Sequence, residues 1–239
     1  MHKIRYDTLM INSNEWNPGA KEFFLSASYL ERAGLYYHIR KNSKEFNGKI
    51  LDIGCGNKPY LDLFNCDTYT GLELNKSYQE ADIYYDGGEL PFLKDEFDNI
   101  VSFQALYQVE NLDLIFYEIN RVLKVNGKIL ITVPFIWFDG GNIHRRFSQE
   151  YILNVFSRFG FEILSIDQTV NNLSALSLLA NKYINEKISK ISFKLIRVIL
   201  KIFVTSFFNI IGTILLRFTK KGDELYINNV VVARKVIDV

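Results

Sequence analysis

The 239-residue sequence is poor in the residues that staple small proteins or bind metals. It has two cysteines, Cys55 and Cys66, and three histidines. Two cysteines make no disulfide framework, and neither residue type falls at metal-ligand spacing. A reducing compartment and a chemistry without a metal are therefore expected. The stretch from Met1 to Glu15 alternates polar and apolar residues. It lacks the apolar segment of a cleaved signal peptide. There is no internal repeat and no low-complexity tract. Ile202 to Leu216 runs fifteen residues without a charge, short of the ~20 that cross a bilayer. An excess of one charge is missing as well, with 28 Lys and Arg against 27 Asp and Glu. What is present is 48% hydrophobic and 23% charged residues, neither disordered nor fibrous, in a chain able to bury roughly 70% of its unfolded surface.

The balance of charge hides a division. Residues 1–170 carry 17 basic and 23 acidic side chains, a net of −6. Residues 171–221 carry nine basic side chains and one acid, Glu186, a net of +8, and the remainder is −1. Regions so different in charge meet different surroundings. The expected organisation is one domain made of 1–170 and 222–239, interrupted by an apolar, basic, helical insertion at 171–221.

Hydrophobic periodicity predicts a helix from Ala20 to Arg40 and another over 111–124. Ser148 caps a third, ahead of Tyr151, Ile152, Val155 and Phe156. Short apolar runs predict strands at Lys49 to Ile53, Tyr69 to Leu74, Ala81 to Tyr85, Asp98 to Phe103, Lys128 to Val133, Phe161 to Ile166 and Tyr226 to Ala233. Strands alternating with helices at this spacing give a parallel α/β sheet.

The first strand runs into the turn Gly54-Cys55-Gly56, where glycines let the backbone approach a ligand closely. Pro59 is predicted to open a helix after this turn. It also stands where a dinucleotide fingerprint has its third glycine, which disfavours NAD and FAD. Asp52 lies two residues before the turn, able to accept from an ammonium group. Glu73 ends the second strand, where a carboxylate can accept from both hydroxyls of a ribose. Asp86 follows the third strand, placed to accept from an exocyclic amine. Each acid alone reads as a solvated loop acid or cap; their joint register puts all three along one crevice.

These residues resemble a class I S-adenosylmethionine-dependent methyltransferase of the type 11 kind, over about residues 45–169 and again at the last strand. The resemblance is carried by LDIGCGNKPY at 51–60, YTGLELN at 69–75, DGGELPFLKDEFDNIVSFQAL at 86–106, EINRVLKVNGKILITVPF at 118–135 and HRRFS at 144–148. It implies a Rossmann-like seven-stranded mixed sheet, six strands parallel and the last antiparallel, with helices on both faces. It implies S-adenosylmethionine as cofactor. Asp52, Gly54, Cys55 and Gly56 would hold the methionine end, Glu73 with Leu74 the ribose, and Asp86 with Gly87 the adenine. Phe103 and Gln104 would line the sulfonium side. The chain departs from many relatives at Tyr107-Gln108-Val109, where they read Glu-His-Val, so a base at that position is in doubt. It lacks the DPPY- or NPPY-like segment of enzymes that methylate base amines, which argues against nucleic acid as substrate.

A hydroxyl acceptor profits from a general base. His2 lies at the terminus and His38 at the end of the first predicted helix. His144 follows the fifth strand on the ligand-binding edge of the sheet and is the leading candidate, with Asp139 and Glu110 behind it. A loop brace made by His144 and Arg146 explains the same residues.

Lys187, Lys190, Lys194, Arg197 and Lys201 recur at intervals of 3, 4, 3 and 4, which on one continuous helix confines them to an arc of about 80°. A broad apolar face with a basic edge fits a helix lying on an anionic membrane. A cap packed on the sheet or on a second subunit explains it too. The insertion and the VVARK-like ending at Val230 to Lys235 also resemble methyltransferases of bacterial surface-polysaccharide pathways. That resemblance implies a glycan or lipid-linked glycan acceptor and a cytoplasmic protein at the inner membrane face. Methylation of a small lipophilic acceptor such as a quinone, and a non-catalytic membrane-peripheral binding protein, remain the alternatives.

Overall fold

The computed structural model describes residues 16–74, 76–136, 145–218 and 225–239. The chain divides into two compact units, Met1–Tyr37 with Gln168–Ile227 and His38–Asp167 with Asn228–Val239.

The second unit is organised by a seven-stranded sheet whose strands are β1 (Lys49–Ile53), β2 (Thr68–Glu73), β3 (Ile83–Tyr84), β4 (Phe97–Phe103), β5 (Leu123–Pro134), β6 (Phe161–Asn171) and β7 (Tyr226–Lys235). Their order is β3-β2-β1-β4-β5-β7-β6, with six strands parallel and β7 antiparallel to β5. Ile50, Leu51, Ile100, Val101, Ile129 and Leu130 are fully buried, as near-continuous apolar runs in a covered parallel sheet should be. α3 (Leu112–Val122) buries Ile115, Phe116 and Ile119, and α4 (Gln149–Arg158) buries Ile152, Val155 and Phe156. The helices' aromatic rings meet edge-on, Phe116 to Phe156 at 5.1 Å between centroids. Both helices are capped by side chains, Asn111 accepting from the Leu114 N–H and Ser148 from the Tyr151 N–H.

Two sequence expectations change in this unit. Only a 3-10 turn, Leu61–Leu63, follows Pro59; Lys58 takes a left-handed φ of 45° and Tyr60 is buried, which uses the segment as a tight plug instead of a helix. β5 starts directly at the end of α3, at Leu123. Asn126, at φ 66°, takes up the turn inside the strand, and the β4–β5 register shifts between Phe97 and Asn99.

Lys235, fully buried on β7, anchors the opposite end of the sheet. Its ammonium donates to the carbonyls of Asn120 and Leu123, both at 2.7 Å, and pairs with Asp95 and Asp238 at 3.3 and 2.6 Å.

The first unit is helical, comprising α1 (Ala20–Leu25), the start of α2 (Tyr29–Ser43), α5 (Asn172–Ser189) and α6 (Lys194–Leu215). The single helix expected over 20–40 is broken at Ser26. Ser26 is extended, and its hydroxyl accepts from the Ser28 N–H at 3.2 Å, the local bond by which serine competes with helix. The amide of Asn209 completes the break by donating to the carbonyls of Phe23 and Ser26 at 2.7 and 3.0 Å. The expected single stripe of five cations is also corrected. Lys187 is in the last turn of α5 and Lys190 caps it, whereas Lys194, Arg197 and Lys201 belong to α6.

Candidate functional site

Strand order reverses at β1, which pairs with β2 on one side and β4 on the other. Beyond the carboxyl ends of strands at such a reversal, open α/β sheets bind their ligands. Gly54, at φ 73°, leaves β1 with its N–H donating to the Leu72 carbonyl at 2.9 Å. A Cβ there would stand 2.3 Å from that of Ala105, so only glycine makes this turn. Cys55 follows, buried, with its thiol against Gly71 of β2: a Cβ on Gly71 would lie 2.7 Å from Sγ and 2.5 Å from Lys58 Cε. Burial, reinforced by the nearby Asp52 charge, pushes that thiol up to about 12.

Asp52 is the central feature. It is 1% exposed and lies opposite Gly71 in the β1–β2 register. The hydroxyl of Tyr69, two residues before Gly71 on β2, donates to Asp52 Oδ2 at 2.7 Å. Oδ1 is buried without a hydrogen-bond partner among the described residues. Burial pushes the carboxyl up to about 7; the Tyr69 hydrogen bond opposes this, and nearby Glu73 adds to it.

Glu73 closes the turn from the next strand. Its Oε2 accepts from the Gly56 N–H at 2.9 Å and its Oε1 from the Leu74 N–H at 2.8 Å. The Tyr85 N–H donates to the Glu73 carbonyl at 3.1 Å, which brings the loop after β3 alongside. There Asp86 is exposed, its Oδ1 accepting from Gly88 N–H at 3.0 Å, and a Cβ on Gly87 would come 3.5 Å from Leu74. The same loop is fastened to α3: Glu118 accepts from the Leu90 N–H at 2.7 Å, and Arg121 donates to the Phe92 and Leu90 carbonyls at 2.8 and 3.0 Å.

On the other side of β1, Phe103 meets the ring of Tyr60 edge-on at 4.9 Å. Gln104, at φ 53°, has its N–H bonded to the carbonyl and hydroxyl of Thr132 at 3.0 and 3.1 Å, and its amide to Asn228 at 3.3 Å. Asn229, also fully buried, donates to the Phe147 carbonyl at 2.8 Å and leaves its Oδ1 without a partner among the described residues. β7 is antiparallel, so its first residues reach this edge.

The structure thus brings Asp52, Gly54, Cys55, Gly56, Glu73, Leu74, Asp86 and Gly87 around one crevice, with Phe103 and Gln104 at the end of the adjacent strand. His144 and Asp139 lie outside the described residues. Glu110 is held by its carbonyl, to which Arg145 donates at 2.7 Å while also donating to the Val109 carbonyl. Sequence reasoning did not single out Tyr69, or the pair Lys58–Asp82 at 2.5 Å, in which Asp82 also accepts from the Gly71 N–H at 2.6 Å. A tyrosine in a strand reads as an ordinary strand former, and its spacing does not mark its hydroxyl as a partner of Asp52. No group of His, Cys, Asp and Glu among the described residues could hold a metal ion.

A parallel sheet with an antiparallel last-but-one strand, and acids after three successive strands, defines the Rossmann-like methyltransferase fold. The sequence comparisons agree: residues 51–131 match the model of the methyltransferase domain family. The biotin biosynthesis bifunctional protein BioHC of Saccharophagus degradans is 30% identical over 99 residues, 35% of this chain and 18% of that one. The fatty-acid O-methyltransferase of Mycolicibacterium smegmatis is 30% identical over 112 residues, 40% of this chain and 41% of that one. The chain therefore spans less than half the length of these curated relatives. Among solved structures, the 4+2 cyclase SpnF superposes with TM-score 0.57 at 19% identity, covering 89% of this chain and 85% of that one. A Haemonchus contortus phosphoethanolamine N-methyltransferase, solved with phosphomonomethylethanolamine and S-adenosylhomocysteine, superposes with TM-score 0.54 at 18% identity, covering 85% and 52%.

Proposed function

We propose that the protein is an S-adenosylmethionine-dependent methyltransferase whose acceptor is a sugar hydroxyl of a glycan or lipid-linked glycan. The observation that carries the cofactor reading is the buried, unpartnered Oδ1 of Asp52 beside a glycine turn, with Glu73 two strand positions from Gly71 on the neighbouring strand. An isolated buried acceptor is costly, and an ammonium group satisfies it. In this reading Asp52 accepts from the amino group of the methionine end and the Gly54-to-Gly56 turn lies along it. Glu73 accepts from the ribose hydroxyls, Asp86 accepts from the adenine amine, and Phe103 and Gln104 border the sulfonium. When bound, S-adenosylmethionine supplies an electrophilic methyl group on a good leaving group. The chain's part is to hold donor and acceptor in line and to exclude water, which can be worth several kcal/mol. His144, with Asp139 as the lesser candidate, would take the acceptor proton. The metal-free chemistry and the absence of nucleic acid from the substrates belong to the same proposal.

The sugar acceptor rests on the resemblance to surface-polysaccharide enzymes. A small lipophilic acceptor is the second reading, favoured by the similarity to a fatty-acid O-methyltransferase.

Calorimetry with S-adenosylhomocysteine tests the cofactor: binding by the wild type that Glu73→Ala weakens is expected, and a wild type that binds nothing overturns the proposal. Incubating the enzyme with methyl-labelled cofactor and fractionated cell extract tests the acceptor. Label in glycan supports the first reading and label in simple lipids the second. Cofactor binding with no transfer to any fraction leaves a binding protein and ends both.

A further inference from the structure

The contact between α5 and α6 is unusually polar. Every residue that α6 buries is small or polar, Thr205, Asn209 and Gly212, and α5 buries Ser174, Ala175, Ser177 and Asn181 alongside Leu178 and Ile188. Their polar groups are joined in a hydrogen-bonded seam. Ser174 donates to the Gly212 carbonyl at 3.0 Å and Ser177 to the Phe208 carbonyl at 2.8 Å. Asn181 bonds Asn209 at 3.2 Å, and Asn185 bonds Thr205 at 3.2 Å. Gly212 is close enough to Leu30 that a Cβ would sit 2.3 Å from that side chain. Across α6, Lys194, Arg197, Lys201, Thr205, Asn209 and Gly212 fall within an arc of about 120° at 100° per residue.

Apart from Ser206 and Thr213, the opposite side of α6 is apolar, and its large side chains face outward. Leu195 is 72% exposed and Phe203 69%, Ile196, Ile199, Phe207, Ile210 and Ile214 are also exposed, and Phe218 in the 3-10 turn that follows is 78% exposed. Small and polar residues between helices with large apolar residues outside is how helices pack in lipid, where burying hydrocarbon against hydrocarbon gains nothing and close contact and hydrogen bonds hold the helices together. In water the same unit leaves a patch far larger than solitary surface hydrophobes account for.

We infer that the α5–α6 unit is a monotopic membrane element, with the outer face of α6 seated among the acyl chains of one leaflet of an anionic bilayer. Charge selects the occupant. No acid occurs between Glu186 and Asp223. Lys187, Lys190 and Lys194 gather at the α5–α6 corner, and Arg217, followed in sequence by Lys220 and Lys221, marks the other end. A two-fold pairing along α6 with a second copy, parallel or antiparallel, sets cations against cations, whereas anionic headgroups neutralise both ends. α6 is long and apolar enough to cross a membrane by length and composition. Its seam, however, is bonded to the α1 carbonyls through Asn209 and shares the unit with the buried pair Lys182–Glu31 at 3.1 Å. A crossing would carry those groups into hydrocarbon; lying in the interface keeps them out. The inference does not depend on methyl transfer.

The test is flotation of the full chain with vesicles of phosphatidylcholine, with and without phosphatidylglycerol. Co-flotation with the anionic vesicles is expected, weakened by salt and reduced roughly tenfold by Phe203→Ser combined with Ile199→Ser. Both side chains are exposed, so an unchanged melting temperature confirms that the variant folds, and Phe203→Leu should restore binding. Phe203→Trp should gain fluorescence that brominated acyl chains quench. No flotation, flotation indifferent to the serine variant, or indole fluorescence of the Phe203→Trp variant that brominated chains leave unquenched overturns the inference. So does a concentration-dependent dimer in sedimentation that Phe203→Ser abolishes, because the occupant is then a second copy.

Discussion

The two units solve the problem of burial in opposite ways. In the sheet unit the interior is dry: Ile50, Leu51, Ile100 and Ile129 are inaccessible, and most polar groups near them serve the ligand-binding edge or anchor an end. In the helical unit α6 turns threonine, asparagine and glycine inward, against serine, asparagine, Leu178 and Ile188 of α5, while most of its phenylalanine and isoleucine is outside. Nothing in amino-acid propensity separates the two, since both are rich in Ile, Leu and Phe. The difference teaches that the medium, not the helix or strand, decides which side of an element becomes its core.

The sharpest way to test the sheet half of that comparison is Lys235→Ala. It strips the Asn120 and Leu123 carbonyls of their donor and leaves a void, and should cost about 3 kcal/mol in chemical denaturation. A loss below a tenth of that would mean the buried ammonium does not anchor the sheet. In the helical half, Asn209→Leu removes the amide that donates to the Phe23 and Ser26 carbonyls and should cost about 2 kcal/mol. If leucine stabilises the chain in buffer instead, the seam is an ordinary soluble core with a misplaced amide and the contrast collapses.

At the site, Glu73→Gln should weaken S-adenosylhomocysteine binding about tenfold by removing a charge-assisted acceptor. Asp52 adds a pH dependence. Its folded-state carboxyl titrates near 7, above the unfolded value, so the folded ligand-free chain holds a proton that the unfolded chain releases between roughly pH 4 and 7. Stability of the ligand-free protein from this group is therefore greatest at the acid end and falls as pH rises through that window. Ligand affinity runs the other way, declining by up to about tenfold per unit below pH 7, because an ammonium needs the carboxylate. Titrations at several pH values on wild type and Asp52→Asn check both slopes, which the asparagine should flatten. The smallest effect is expected from Phe203→Ser in buffer without lipid, within about 0.5 kcal/mol of wild type. A larger loss would place Phe203 in a core and restore the conventional arrangement.

The fold, and the gathering of the candidate residues at one edge of the sheet, were largely legible in the sequence because they are local. Asp52, Gly54 and Glu73 sit at strand ends, where a two-residue period and a glycine turn announce themselves. Tyr69 was not legible, since its bond to Asp52 depends on the register between β1 and β2. The helix break at Ser26 escaped for the same reason: part of its cause is Asn209, 183 residues away along the chain. In the insertion the polar residues of α6 were visible, but their spacing alone could not say that the side bearing Thr205 and Asn209 points inward. The break after Lys190 then divided the expected cationic stripe between two helices.

One contact at the glycine turn carries a consequence for how this sequence can change. The Cys55 thiol occupies the space that a side chain at Gly71 would need, with Lys58 pressed into the same gap. Two positions, one in the turn after β1 and one on β2, therefore share a single allotment of volume. Bulk can be moved from one to the other, as in Cys55→Gly combined with Gly71→Ala, but it cannot be added to both. The pair should behave as a two-way exchange in which each substitution alone is worse than the two together.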